Sequence, residues 1–335
     1  MQENVLISTL TTMRLGGPAR YVQEVTAPEQ VAEAYEFARK NGLRVYILGY
    51  GSNVIGRDEG FDGMILVNKL KGIEIVSETE DEILVKAASG EVLDDLCEFV
   101  SSRGYTGMEA MSAIPGTVGA APVQNVGAYG QEVKDVLVSV DTYDTLQGLP
   151  LQISAADCEL GYRRSIFNTT ESGRYFITAI TVRLRKGQLR PPFYVSLQAF
   201  VEKTHLTDFS PLAIRQAVSE VRASKVPDPK VVASSGSFFK NVLVDGTDVP
   251  ALEAKGVQVW QEGGKNVIPS GWLVEQAGLK GKKLHGMRVN DKSALILVNE
   301  SAHSYADLAA ARQEIVDAVK AKFDFVLEQE PLEIV

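Results

Sequence analysis

The stretch GSFFKN at residues 236–241 sets a serine between a glycine and two phenylalanines, with Lys240 and Asn241 directly after. A serine hydroxyl is a poor acid at neutral pH and gives up its proton only to a strongly basic carbanion with charges nearby. Ser237 could equally be a strand residue packed beside aromatics. Three other groups offer the charges such chemistry needs. GYRRSIF (161–167) sets Arg163 and Arg164 beside aromatics, and a guanidinium's planar fork suits carboxylates, although an exposed surface pair would read the same. LEQE (327–330) spaces Glu328 and Glu330 two apart, so an extended chain turns both to one face, as a solvated acidic strand tip also would. Lys225 ends RASK (222–225) just before VPDP, where it projects from a helix end or simply complements the helix dipole.

Two glycine-bearing corners could hold a cofactor against the main chain. LGYGSN (48–53) follows a β-rich run. Its glycines permit positive φ, and Ser52 and Asn53 add donors, but it is neither GxGxxG nor a Walker loop. A plain strand-to-loop turn fits it as well. IPGTVGAAPVQNVGAYG (114–130) has little side-chain bulk, which suits a diphosphate or a flat heterocycle, and tight helix packing is its other reading. Pro115 could open a helix whose first amides face a phosphate, and Gln124 and Asn125 can bond both edges of a heterocycle.

The elements that must position these residues follow from periodicity. Helical spacing over 28–41 ends at Gly42, then RVYIL (44–48) and MILV (64–67) read as strands, making a small α/β unit. Strands are expected at 82–87, 136–143 and 175–184, with an amphipathic helix over 91–103. Residues 187–210 show little sustained periodicity and read as a loop or short excursion. Ser210-Pro211 opens a helix running to about 224, SALILVN (293–299) is a buried-type strand, and Ser304-x-x-Asp307 caps a long helix ending near 322.

Composition narrows the function. With 335 residues, two or three domains are expected. The formal charge of −9, from 34 basic and 43 acidic residues, argues against general nucleic-acid binding. The start MQENVLISTL has neither the basic residues nor the apolar run of a secretory signal, and no stretch is long and apolar enough to span a membrane. Two separated cysteines suit a reduced, cytoplasmic setting, and three scattered histidines argue against a metal centre. A monomer is expected, since no apolar stripe or heptad stands out.

Taken in order, LGYGSN, IPGTVGAAPVQNVGAYG, YRRSIF, KVPDP with GSFFKN, GWLVEQAGLKG (271–281) and LEQE resemble the UDP-N-acetylenolpyruvoylglucosamine reductase family, in its longer-loop subgroup, nearly end to end. The resemblance implies an α+β fold. Two FAD-binding α/β subdomains of the vanillyl-alcohol-oxidase type (1–70, with 326–335 returning to it, and 71–209) would precede an α+β substrate-binding domain (210–325). It implies non-covalently bound FAD, NADPH as co-substrate, and reduction of the enolpyruvyl ether of a UDP-sugar in peptidoglycan precursor synthesis. By the family pattern Arg163 stabilises the developing charge with Glu330 assisting, and Ser237 donates the proton. FAD would be held by Gly49, Tyr50, Gly51, Ser52, Asn53 and Val54 from the first corner. Ile114, Pro115, Gly116, Thr117, Gly119, Ala120, Gln124, Asn125, Gly127, Ala128 and Tyr129 would hold it from the second. Tyr194, Lys225, Asn241 and Gln276 would surround the UDP portion. The chain reads ASSGSFFKNV at 233–242 where the family often has GNAGSFFKNP, and Tyr50 stands where a small residue is frequent. Another flavin oxidase of the same fold would keep the glycine corners without needing Ser237 and Glu330. A non-catalytic FAD or UDP-sugar binder would need none of Arg163, Ser237 and Glu330.

Overall fold

The apolar spacing of residues 28–41 becomes a helix over Glu29–Lys40 that buries Val31, Ala34 and Ala38. Asn41 and Gly42, the latter at φ +63°, end it. The structure is a computed structural model describing residues 1–262 and 264–335. The chain divides into two units, one of residues 1–3, 21–50 and 62–222, the other of 4–20, 51–61 and 223–335.

The first unit contains most of a four-stranded sheet in the order Gln2–Leu6, Pro18–Val25, Phe61–Asn68, Arg44–Leu48, the last two parallel. A larger antiparallel sheet runs Leu149–Ser154, Leu137–Asp144, Tyr175–Lys186, Glu82–Ala88, Ile73–Glu78, with Tyr105–Thr106 also on Tyr175–Lys186. In Glu82–Ala88 the alternation of buried Ile83, Val85 and Ala87 with half-buried neighbours is that of a strand with one covered face. The Leu93–Ser101 helix adds Leu93, Leu96, Cys97 and Val100 to the same core.

The second unit has a sheet in the order Ser234–Ser237, Ile296–Asn299, Met287–Val289, Lys283–Leu284, and a smaller one of Val242–Val244, Lys265–Ile268 and Trp260–Glu262. Its core gathers Phe238, Phe239, Leu297, Leu308 and Ile315. The long helix is Tyr305–Phe323, and Ser304 and Asp307 form the reciprocal capping box expected of their spacing. Near the C-terminus Leu332–Ile334 pairs in parallel with Val54–Gly56.

Two expectations are corrected. Residues 187–210 contain a helix, Val195–Thr204, whose Leu197 and Val201 are buried against Ile214, Ala217 and Val218. Two buried positions are too few to stand out as a period, so tertiary packing decides the helix. Pro115 opens no α-helix: the next element is a three-residue 3₁₀ turn, Val118–Ala120. The amides of Val118 and Gly119 donate to the carbonyls of Glu91 and Ser89, both at 2.8 Å.

Candidate active site

In the first unit the two glycine corners meet. A Cβ built on Gly49 would stand 2.5 Å from Thr117 Oγ1, and one on Gly119 would stand 2.5 Å from the Ser89 Cβ. Real Cβ atoms do not approach so closely, so both positions need glycine for the chain to pack here. The first corner passes into the second unit between Tyr50 and Gly51. There Gly51, at φ +73°, has a carbonyl that accepts from the Thr12 amide at 2.9 Å, and the Asn53 carbonyl accepts from Leu332 at 3.0 Å. Ser52 lies between them, and Val54 begins the strand paired to Leu332–Ile334.

The second corner ends in a tight hairpin, Gly127–Ala128 against Gln131–Glu132. Its two turn residues, Tyr129 and Gly130, have φ of +49° and +88°, the positive pair that a two-residue hairpin with right-handed strand twist requires. This turn holds up the Tyr129 ring, which meets the Tyr194 ring edge to face with centroids 5.6 Å apart. Burial raises the Tyr129 phenol above its ordinary range, against the pull of its hydrogen bond with Arg222. Arg222 Nε also donates to the Ala113 carbonyl at 3.3 Å. Ile114, Pro115, Gly116, Ala120 and Gln124 lie along the same segment, and the Gly116 carbonyl accepts from Leu93 at 3.0 Å.

Asn125 is wholly buried at φ +44°, and both ends of its amide are engaged. Nδ2 donates to the Gly161 carbonyl at 3.0 Å, and Oδ1 accepts from the Lys134 amide at 3.0 Å. Gly161 opens the turn carrying Arg163, itself at φ +51°, with its guanidinium carbon 5.4 Å from the centre of the Tyr162 ring. Asn168 Nδ2 donates to the Arg163 carbonyl at 3.1 Å, and its Oδ1 accepts from Ser165 N at 2.8 Å. Ser165 Oγ donates to the Val123 carbonyl at 2.6 Å. Of ten non-glycine residues with positive φ among those described, Asn125, Tyr129 and Arg163 fall in these two segments and Ala113 directly precedes the first. Such strained backbone concentrates where function over-determines conformation, which marks the region as a candidate site.

Ser237 and Glu330 belong to the second unit. Ser234 faces Val298 and Ser237 faces Ile296, so the Ser234–Ser237 strand carries one extra residue, a β-bulge. Gly236, at φ +72°, supplies the left-handed turn within it, and Ser237 directly after it is half-buried. Phe238 and Phe239 are buried with rings 5.0 Å apart. The Glu330 amide donates to the Phe238 carbonyl and the Lys240 amide to the Glu328 carbonyl, both at 2.9 Å. Lys240 Nζ pairs with the Glu328 carboxylate at 3.2 Å.

Of the residues expected around the UDP portion, Tyr194 lies in the first unit and Lys225, Asn241 and Gln276 in the second. Lys225 ends the Pro211–Lys225 helix, exposed. Asn241 Oδ1 accepts from the Ser270 amide at 3.1 Å, at the start of the Ser270–Gln276 helix. The Gln276 carbonyl accepts from Lys322 Nζ, and its side chain is exposed. Tyr194 is 37% exposed.

Sequence reasoning missed the polar residues behind these groups: Ser165, Asn168, Arg222, Arg312 and Gln329. Only Ser165-x-x-Asn168 left a signal, a capping-box spacing that the 3₁₀ turn at Ile166–Asn168 uses. Among the described residues no three His, Cys, Asp or Glu side chains form a metal-binding group. No described helix is long and apolar enough to cross a membrane. Two corners that meet at Gly49 and Thr117 and are lined by small residues fit a dinucleotide cofactor such as FAD, whereas the Asn125 amide, expected to bond a heterocycle, is buried and spent on Gly161 and Lys134.

Known proteins resemble this chain in sequence and in fold. A family model described as an FAD binding domain matches residues 19–151, and one described as the UDP-N-acetylenolpyruvoylglucosamine reductase C-terminal domain matches 228–334. The reductase of that name from Ralstonia nicotianae is 37% identical over 330 residues, 96% of either chain. That of Bdellovibrio bacteriovorus is 35% identical over 328 residues, 97% of either chain. The crystal structure of the UDP-N-acetylenolpyruvylglucosamine reductase from Thermus caldophilus shares the fold, with a TM-score of 0.69 at 21% identity, covering 98% of this chain and 97% of that one.

Proposed function

This chain belongs to the UDP-N-acetylenolpyruvoylglucosamine reductase family, and we propose that Arg163, Ser237 and Glu330 carry its chemistry. It is an FAD-dependent oxidoreductase that uses NADPH to reduce the enolpyruvyl group of UDP-N-acetylglucosamine enolpyruvate to UDP-N-acetylmuramate, in peptidoglycan precursor synthesis. When bound, FAD supplies hydride transfer between NADPH and the enolpyruvyl double bond.

A hydride added to one carbon of that double bond leaves the electron pair on the other, beside the substrate carboxylate. Arg163 offers its guanidinium to this charge, with Glu330 assisting. Ser237 Oγ then gives its proton to the carbanion, so one hydride and one proton have crossed the double bond. We assign the residues of the two glycine corners to FAD, and Tyr194, Lys225, Asn241 and Gln276 to the UDP portion. In domain terms, residues 1–209 with 326–335 serve the cofactor and 210–325 the substrate. We place the enzyme in the cytoplasm as a single chain, in keeping with two buried, unpaired thiols at Cys97 and Cys158.

The observation that carries the reading is the bulge at Gly236: a strand residue needs no re-aiming merely to pack, whereas a proton donor does. Purified yellow protein held anaerobically should bleach with NADPH and regain colour with one equivalent of the enolpyruvyl UDP-sugar. Ser237→Ala should bleach normally and recover colour at least about a hundredfold more slowly, the range for a lost general acid. Colour that never returns in the native protein would leave a flavin-binding protein without this activity, and equal loss in both half-reactions would make Ser237 structural.

A further inference from the structure

Beside Glu330 lies a polar cluster that the chemistry above does not use. Arg312, on the Tyr305–Phe323 helix, donates from one terminal nitrogen to Gln329 Oε1 at 2.6 Å and to Glu333 Oε1 at 3.1 Å. Gln329 Nε2 donates in turn to the Pro331 carbonyl at 2.7 Å. The side chain preceding Glu330 is therefore tied to the main chain following it. Glu333 is held from two more directions, by the Tyr305 hydroxyl at 2.6 Å and by Arg57 Nε at 2.8 Å.

Strand geometry gives the cluster its meaning. Phe239 and Gln329 are opposed in a β-bridge, with the Lys240 and Glu330 amide bonds on either side. Alternation then turns the Gln329 side chain to one face and those of Glu328 and Glu330 to the other. Arg312 and Gln329 thus grip the chain from the face opposite the Glu330 carboxyl. One main-chain bond, from the Glu330 amide to the Phe238 carbonyl, fixes where Glu330 sits beside the bridge, and the clamp lies across the chain on either side of it.

We propose that Arg312 and Gln329 are positioning residues for Glu330, setting its aim from the opposite face of the strand. This rests on the role given to Glu330 above. Gln329→Glu is the discriminating variant: it keeps an acceptor for Arg312 but replaces the donor to the Pro331 carbonyl with a carboxylate oxygen. Melting temperature and the rate of flavin bleaching by NADPH should stay close to wild type. Reoxidation by the enolpyruvyl UDP-sugar should slow roughly tenfold to a hundredfold, the scale of a misaimed group, in kcat and not in KM. Amide hydrogen exchange over 328–333 should quicken without any cofactor turnover. Arg312→Lys, which keeps the charge but loses the planar fork, should give the same split in milder form.

Wild-type reoxidation in Gln329→Glu would overturn the proposal, as would equal loss of stability and both half-reactions in the two variants. Glu330→Gln, measured alongside, separates the layers. If it too reoxidises normally, the role of Glu330 falls and the clamp has nothing to aim. If it is slow while Gln329→Glu is normal, only the clamp falls.

Discussion

The side-chain amide of Asn125 donates to the carbonyl of Gly161 at 3.0 Å, joining the glycine-rich segment to the turn that bears Arg163. Its other end receives the Lys134 amide, so a single buried residue braces three stretches of chain. Replacing it with alanine takes these partners from the half-buried Gly161 carbonyl and the Lys134 N–H, and puts alanine at positive φ. We expect a loss of about 0.5–1.5 kcal/mol per lost hydrogen bond in denaturant unfolding. Asn125→Asp retains the acceptor and loses only the donor. It should fold, and should slow reoxidation by substrate more than bleaching by NADPH; a uniform effect on both would confine Asn125 to stability.

The meeting of Gly49 and Thr117 makes a paired prediction. Gly49→Ala forces a methyl to within 2.5 Å of Thr117 Oγ1, and overpacking of this kind costs about 1–3 kcal/mol. Flavin should be released more readily, seen as a rise in free-flavin fluorescence on dilution. Adding Thr117→Ala removes the clashing hydroxyl, leaving the residue 117 Cβ 3.6 Å away, and should restore most of the flavin retention. Failure of the double variant to recover would mean that these two residues do not set the approach of the corners.

At Gly236 the limit is conformational, not spatial. Nothing lies within 4 Å of a Cβ built there, yet φ is +72°. Gly236→Ala should cost about 1–2 kcal/mol, the strain of a left-handed residue. If the bulge aims Ser237, reoxidation should slow beyond what the stability loss explains. Activity that merely tracks the folded fraction would detach the bulge from the chemistry.

Glu333 yields a pH prediction. Burial pushes its carboxyl upward, and the bonds from Tyr305, Arg57 and Arg312 outweigh that, so it titrates below its ordinary value of 4.5. A depressed carboxyl adds stability above its unfolded pKa and loses it as pH falls through the folded one. The melting temperature of wild type should exceed that of Glu333→Gln at neutral pH, and the gap should close as pH falls below 4.5 and through the lowered folded value. A gap independent of pH would show that charge at Glu333 contributes nothing.

Much of this protein is legible in its amino-acid order alone. Periodicity locates the Glu29–Lys40, Pro211–Lys225 and Tyr305–Phe323 helices and the Tyr175–Lys186 strand, because each is long enough to repeat its pattern several times. The motif order discloses the family, since reacting groups impose residue types that no other pressure would assemble in that sequence. Short elements escape: the Val195–Thr204 helix and the 3₁₀ turn after Pro115 are decided by what they pack against, and their own residues state no preference.

The bracing behind the site is invisible in the sequence for a related reason. Arg312 reaches Gln329 and Glu333 across 17 and 21 residues, Asn125 reaches Gly161 across 36, and Thr12 reaches Ser234 across 222. The roles proposed for Ser237 and Arg163 come from the order of motifs along the chain, since their types and neighbours alone fit a packed strand and a surface pair as well. A residue that aims another is an ordinary polar side chain in an ordinary context. Its role is a distance and a direction, and these exist only once the chain has closed on itself.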